Sequence, residues 1–239
     1  IYAIAYIIDG QHRVYGYANS IYRENNTIPV VAFLNLDTIE QLEMFMDINQ
    51  NQKAVSPSLK LDLAEDLNWD SERADSRLLA LKSSITKKLA NTESSPLYNK
   101  ISVGEDKALL TFKPFMSALN SSGLLPSARG NKYIEDSILG SLYDTNNQDH
   151  NKEMLSARKK VVDLLTSCYE FVESKYSEIF NKEKYFIISN RGTYAFVSLI
   201  GNLNKFLTEQ KKVNRDTINN ERFNLIKKYL VALLDSLNN

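Results

Sequence analysis

Five consecutive residues near the start of the chain, Asp9-Gly10-Gln11-His12-Arg13, combine side chains that can bind and act on phosphate. An apolar run over residues 1–8 precedes them, and Val14, Tyr15, Tyr17, Ala18, Ile21 and Tyr22 follow at helical spacing. A strand that ends in Asp-Gly and leads into a helix exposes backbone N–H groups at the helix N-terminus. Those donors and the helix dipole favour an anion. Gly10 lets the backbone turn sharply or adopt positive φ. Arg13 offers a planar fork suited to phosphate. His12 can donate to a phosphate or carry a proton near neutral pH, and Asp9 can hold a metal or orient His12 or Arg13. The same five residues also read as a plain turn with solvated side chains, and on the residues alone both readings stand.

Other chemistry-bearing residues give weaker signals. The chain has two histidines, His12 and His150, and one cysteine, so a two-histidine or cysteine-rich metal site is not expected. Cys168 falls on an apolar helical stripe and reads as core. Asp62, Glu65 and Asp66 form an acidic cluster that reads more readily as a solvated face than as a metal site. Basic clusters at Lys82/Lys87/Lys88, at Arg158-Lys159-Lys160 and at Lys211-Lys212 with Arg215 are candidate contacts to DNA phosphate. Each alone is the ordinary composition of a solvated helix surface. Asn190-Arg191-Gly192 stands before a helix expected from Thr193, which makes it a second candidate anion site or a simple cap.

The positioning elements divide the chain in two. Residues 1–8 suit a buried strand, and Ile28 to Leu36 a second one. Asp37 opens a helix, with Glu40 completing a capping box, and Ile39, Leu42, Phe45, Met46 and Ile48 form its apolar face. Strand, turn, helix, strand, helix is the order of a βαβ-type unit, which binds ligands at the turn after its first strand. Residues 49–56 read as a polar loop. From Ser58 the pattern is helical: one short helix across Leu59–Leu67, then Ser76–Ala90, Leu109–Leu119 and Ile134–Leu142, with irregular chain at 93–107, 121–131 and 144–149. The strongest helical signals come last: a stripe from Val161 to Ile179, Thr193–Leu207, and a helix capped by Asn214 or Asp216 that runs through Leu237. The expected fold class is therefore α+β, with a small α/β unit over residues 1–60 and a mostly helical domain over 61–239.

Composition bounds function. Eight glycines and five prolines in 239 residues leave little room for a turn-rich all-β fold. Twenty-nine basic and 29 acidic residues give zero formal charge, so DNA binding would need a local basic patch. No apolar run approaches the roughly 20 residues of a membrane span, and a cytoplasmic location is expected. The chain enters at once on a strand-like run from Ile1, which reads as a chain whose beginning, with a partner strand in it, lies upstream.

The string Asp9-Gly10-Gln11-His12-Arg13, preceded by Ile7-Ile8 and followed by Val14-Tyr15-Gly16-Tyr17-Ala18, resembles the signature of the DGQHR-domain family. That family includes DndB of DNA phosphorothioation systems and DpdB of 7-deazaguanine DNA modification. More broadly it resembles the ParB N-terminal fold, in which a Gly-x-x-Arg-like turn contacts nucleotide phosphates. The segment Phe45-Met46-Asp47-Ile48-Asn49-Gln50-Asn51-Gln52-Lys53-Ala54-Val55-Ser56 is similar to the family's F-x-x-I-N-x-x-Q-x-x-V-S segment. The likeness covers residues 1 to about 60 well and the rest only in general character.

The resemblance implies a ParB-like N-terminal unit and a role on or around modified bacterial DNA. It implies Asp9, His12 and Arg13 as catalytic candidates. Gly10, Gln11, Arg13, Asn49, Gln52 and Lys53 become candidates for binding nucleotide or phosphate, and Arg158, Lys159 and Lys160 remain the DNA-contact candidates. The cofactor implied is ATP or another nucleoside triphosphate with Mg²⁺ if hydrolysis occurs. The partners implied are DNA, DNA-modification enzymes and a second copy of the chain. Two classes stay open: a nucleotide-binding ATPase working with a modification machine, and a non-catalytic DNA-binding regulator of a modification operon. Against the first, no Walker-type Gly-x-x-x-x-Gly-Lys loop is present. A scaffold that only docks to the modification enzymes is the third reading.

Overall fold

A computed structural model describes residues 7–25, 27–52, 57–104, 108–181 and 186–238. The chain divides into two compact units, residues 1–56 and 57–239. The described residues are mostly helical, with one small two-stranded sheet. No described helix is long and apolar enough to cross a membrane.

In the first unit, α1 (Gln11–Ala18) follows Gly10 directly, and α2 spans Thr38–Gln52. Asp37 and Glu40 form the expected capping box. The Glu40 N–H donates to Asp37 Oδ1 at 2.8 Å, and the Asp37 N–H donates to Glu40 Oε2 at 2.9 Å. The strand expected over Ile28–Leu36 does not form: residues 27–33 are irregular, and Val30, Val31 and Leu34 are at least 79% exposed. A β-rich composition yields a strand only when a neighbour accepts its backbone hydrogen bonds, and none of the described residues offers one. Pro29 removes a donor besides, and Asn35 turns the chain at φ 61° just before α2. Residues 1–6, most of the other expected strand, lie outside the described residues. The polar loop expected at 49–56 is helical as far as Gln52.

The second unit begins with α3 (Pro57–Asp62) and α4 (Ala64–Asn68), two short helices where the sequence predicts one. They lead to α5 (Ala74–Asn91), which packs against α4, α6 (Phe112–Ser122) and α7 (His150–Lys175). Neighbours on several sides bury α5 almost all round from Ala80 to Thr86. Between α6 and α7 lie a hairpin, β1 (Ala128–Arg129) with β2 (Lys132–Tyr133), and a 3₁₀ turn over Glu135–Ser137. The helix expected over Ile134–Leu142 is thus a single turn. Gly140, at φ +85°, turns the chain three residues beyond its end. The polar stretch 144–149 is ordered by its own side chains: the Asp144 N–H and Asn147 Nδ2 donate to the two oxygens of Glu153, and Asp149 caps α7.

The predicted stripe from Val161 to Ile179 breaks at Tyr176. There α7 ends, and α8 (Ser177–Asn181) begins a new direction. Ser189 caps α9 (Asn190–Glu209) by accepting the Gly192 N–H, and α10 spans Asn219–Asn238. One continuous core joins Leu81, Ile85 and Leu89 of α5, Phe115 and Leu119 of α6, Leu165, Cys168 and Tyr169 of α7, and Val197 and Ile200 of α9. α6 packs tightly on α9, where Gly201 faces the Ser122 carbonyl.

Candidate functional site

At Asp9–Arg13 the glycine turn and the helix start are as the sequence implies, but Ile7 and Ile8 before them are not a strand and Ile7 is exposed. Gly10 is the N-cap of α1 at φ 90° and ψ 8°, a left-handed conformation that other residues adopt at a cost. Its carbonyl accepts the Val14 N–H at 3.0 Å, the first bond of the helix. No side chain caps this end. The N–H groups of the first turn therefore have no intrahelical partner and point out along the helix axis.

Arg13 folds back over Gly10 and ion-pairs with Asp9, Nη2 to Oδ2, at 3.0 Å. A Cβ on Gly10 would stand 3.4 Å from that Nη2, an ordinary contact, so the positive φ rather than the guanidinium calls for glycine here. The Arg13 side chain is 68% exposed, and a pair this open contributes about 0–1 kcal/mol. Arg13 can therefore exchange Asp9 for a phosphate at small cost. His12 is exposed, and Gln11 reaches the Tyr15 hydroxyl at 3.4 Å. The structure thus brings Asp9, Gly10 and Arg13 together at an open helix end. Asn49 and Gln52 fall in the last turn of α2, but their side chains, and Lys53 entirely, lie outside the described residues.

The basic triplet on α7 is engaged at home. Arg158 donates to Ser84 Oγ at 2.8 Å, stands 3.5 Å from Glu65 and lies over the Trp69 ring. Lys159 pairs with Asp163 at 2.6 Å, and Lys160 with Asp216 at 3.6 Å. With an acid beside each cation, the triplet offers a phosphate backbone less surplus charge than its sequence suggests. Asp62, Glu65 and Asp66 surround Lys87 at 3.5, 3.7 and 3.2 Å. The acidic cluster is therefore a charge network, and no group of His, Cys, Asp and Glu suited to a metal occurs among the described residues. At the start of α9, Asn190 Oδ1 accepts the Thr111 N–H at 2.9 Å, so this helix end ties two segments together.

Two buried cations carry more structural weight than their sequence context indicates. Arg222 is 2% exposed and donates to Asn204 Oδ1 and to the carbonyls of Asn214 and Thr217. Asn204 in turn donates to the Gly140 carbonyl at 2.6 Å. Lys82, placed by sequence in a solvated basic cluster, is 8% exposed. The signal was present: position 82 lies on the helical face of Leu78, Ile85 and Leu89.

No protein-family model, no curated protein and no solved structure matches this chain.

Proposed function

We propose that this chain is a DGQHR-type protein of bacterial DNA modification, of the phosphorothioation-associated kind, that binds a nucleotide or DNA phosphate at Asp9–Arg13. One observation carries the reading: the string opens a helix whose N–H donors are uncapped, with Arg13 beside them in an exposed and weak ion pair. A phosphate seated there accepts from the first-turn N–H groups and from Arg13, which releases Asp9. A released Asp9 fits a Mg²⁺ ion, which in nucleotide sites is held by one or two carboxylates and the phosphates themselves. Exposed His12, next to the seat, is the group suited to moving a proton during hydrolysis. A component of 7-deazaguanine modification would share this chemistry. A regulator reading needs a basic face, and the paired state of Arg158, Lys159 and Lys160 lends that less support.

The test is calorimetric titration of the folded protein with ATP, CTP and GTP, with and without Mg²⁺, beside Arg13→Ala. The expected result is binding that the substitution removes while the circular dichroism spectrum stays unchanged. A folded wild-type protein that binds none of the three, or an Arg13→Ala protein that binds as well, overturns the assignment.

A further inference from the structure

Among the buried cations of the second unit, Lys82 has the fewest hydrogen-bond partners, although Arg77 also keeps its buried Nε unpartnered. Arg222 donates to an amide and to backbone carbonyls, and Arg77 donates to the carbonyls of Ser71 and Glu72. Lys82 Nζ donates to one neutral acceptor, Asn120 Oδ1 on α6, at 2.7 Å. An ammonium carries three donors, and among the described residues no acid forms an ion pair with this one. A buried charge in that state is costly unless something pairs with it.

Lys82 lines a cleft of about 410 Å³ with Arg73, Asp75, Ser76, Asn120 and Ser127. That volume lies within the ~300–1,000 Å³ of small-molecule sites. Arg73 and Asp75 neutralise each other through two hydrogen bonds, at 3.0 and 2.8 Å. Asp75 also accepts the N–H groups of Ser76 and Gly130, each at 2.8 Å. The Arg73 guanidinium holds its carboxyl well below the usual carboxylate range, so Asp75 stays charged and fully committed. The one formal charge left over in the cleft is the positive charge of Lys82. Leu78, Leu79 and Ala128 supply apolar wall.

We infer that this cleft is a binding site for the oxyanion group of a small molecule, a carboxylate or a phosphate, with the Lys82 ammonium as its cation. Asn120 holds the amine in place, and the two remaining ammonium protons go to the ligand. The site lies within the 57–239 unit and does not depend on the function proposed for Asp9–Arg13. Burial lowers the Lys82 amine from its ordinary 10.5 to about 8, the direction expected of a cation without a counter-ion.

The test uses the full chain labelled with carbon-13 at lysine Cε. The lysine signals are followed against pH in phosphate, in propionate and in chloride at equal ionic strength. The expected result is a Lys82 midpoint about one unit higher in phosphate or propionate than in chloride, a roughly tenfold preference of the anion for the protonated amine. Which of the two anions acts identifies the ligand class. Lys88, exposed on the same helix, gives the baseline. Lys82→Met assigns the signal by removing it. If that variant does not fold, Asn120→Ala, at an exposed position, assigns it by shifting that signal alone. Equal midpoints in all three salts, or a change no larger than that of Lys88, overturns the proposal.

Discussion

Gly201 sits where α9 crosses α6, and replacing it with alanine is the sharpest test of the packing. A Cβ there would overlap the Ser122 carbonyl oxygen and stand 2.6 Å from its carbon and 2.9 Å from its Cα. These are backbone atoms, so no rotamer change relieves the overlap. Ser122 is itself 2% exposed and fixed by its hydroxyl, which donates to the Leu119 carbonyl and accepts the Leu124 N–H. Alanine would otherwise gain up to about 1 kcal/mol of helix propensity over glycine. Overpacking a tight core costs about 1–3 kcal/mol and sometimes more, and a clash with backbone belongs at or beyond the top of that range. The net expectation is a loss of about 3 kcal/mol, which lowers the melting temperature by roughly 6–12 °C for a unit of this size. The assay is thermal and urea unfolding by circular dichroism. Gly16→Ala in α1, whose added Cβ meets nothing within 4 Å, is the matched control and should not destabilise. A Gly201→Ala protein as stable as the wild type would refute the α6–α9 crossing as described.

Further outcomes follow from the buried polar groups. Arg222→Met leaves Asn204 Oδ1 and the Asn214 carbonyl without their donor, and should cost about 2–4 kcal/mol in urea unfolding. Adding Asn204→Ala to it should cost less than the sum of the two single changes, because they break one network. Lys82 gives a pH signature. Its folded midpoint of about 8 lies below the ordinary 10.5, so between those values the unfolded chain binds more protons and stability rises with pH. The stability of wild type relative to Lys82→Met should climb by up to about 3 kcal/mol from pH 8 to 10.5 and stay flat below 8. A difference that is flat throughout would contradict the burial of this amine. Cys168 is fully buried, and burial pushes its thiol up, so a thiol reagent should modify it only as fast as the chain unfolds.

How much of this could be read in the sequence follows the range of the interactions. The Asp37/Glu40 capping box, the long helices α5, α7, α9 and α10, the core position of Cys168 and the glycine turn before α1 are local patterns, and the sequence states them. What depends on distant partners was not legible. The run IPVVAFLNL has the composition of a strand but, among the described residues, no partner. Lys87 meets three acids that precede it by about 20 positions, and Lys160 meets Asp216, so the reading of both as free surface charge could not be corrected locally. The burial of Lys82 is a local pattern, because its helical register places it among Leu78, Ile85 and Leu89. At the candidate site the turn geometry was foreseeable from Asp-Gly. The Asp9–Arg13 pair, four residues apart across that glycine, became apparent only with Gly10 in its left-handed conformation.

If the Asp9–Arg13 turn receives a phosphate, amide NMR reads it directly at the start of α1. On titration with Mg²⁺·ATP, the N–H signals of Gln11, His12 and Arg13 should move downfield together as they gain an acceptor. The guanidinium signal of Arg13 should shift with them as it leaves Asp9. Arg13→Ala should weaken the response by at least tenfold. Shifts confined to other residues, or none in a folded protein, would contradict the account.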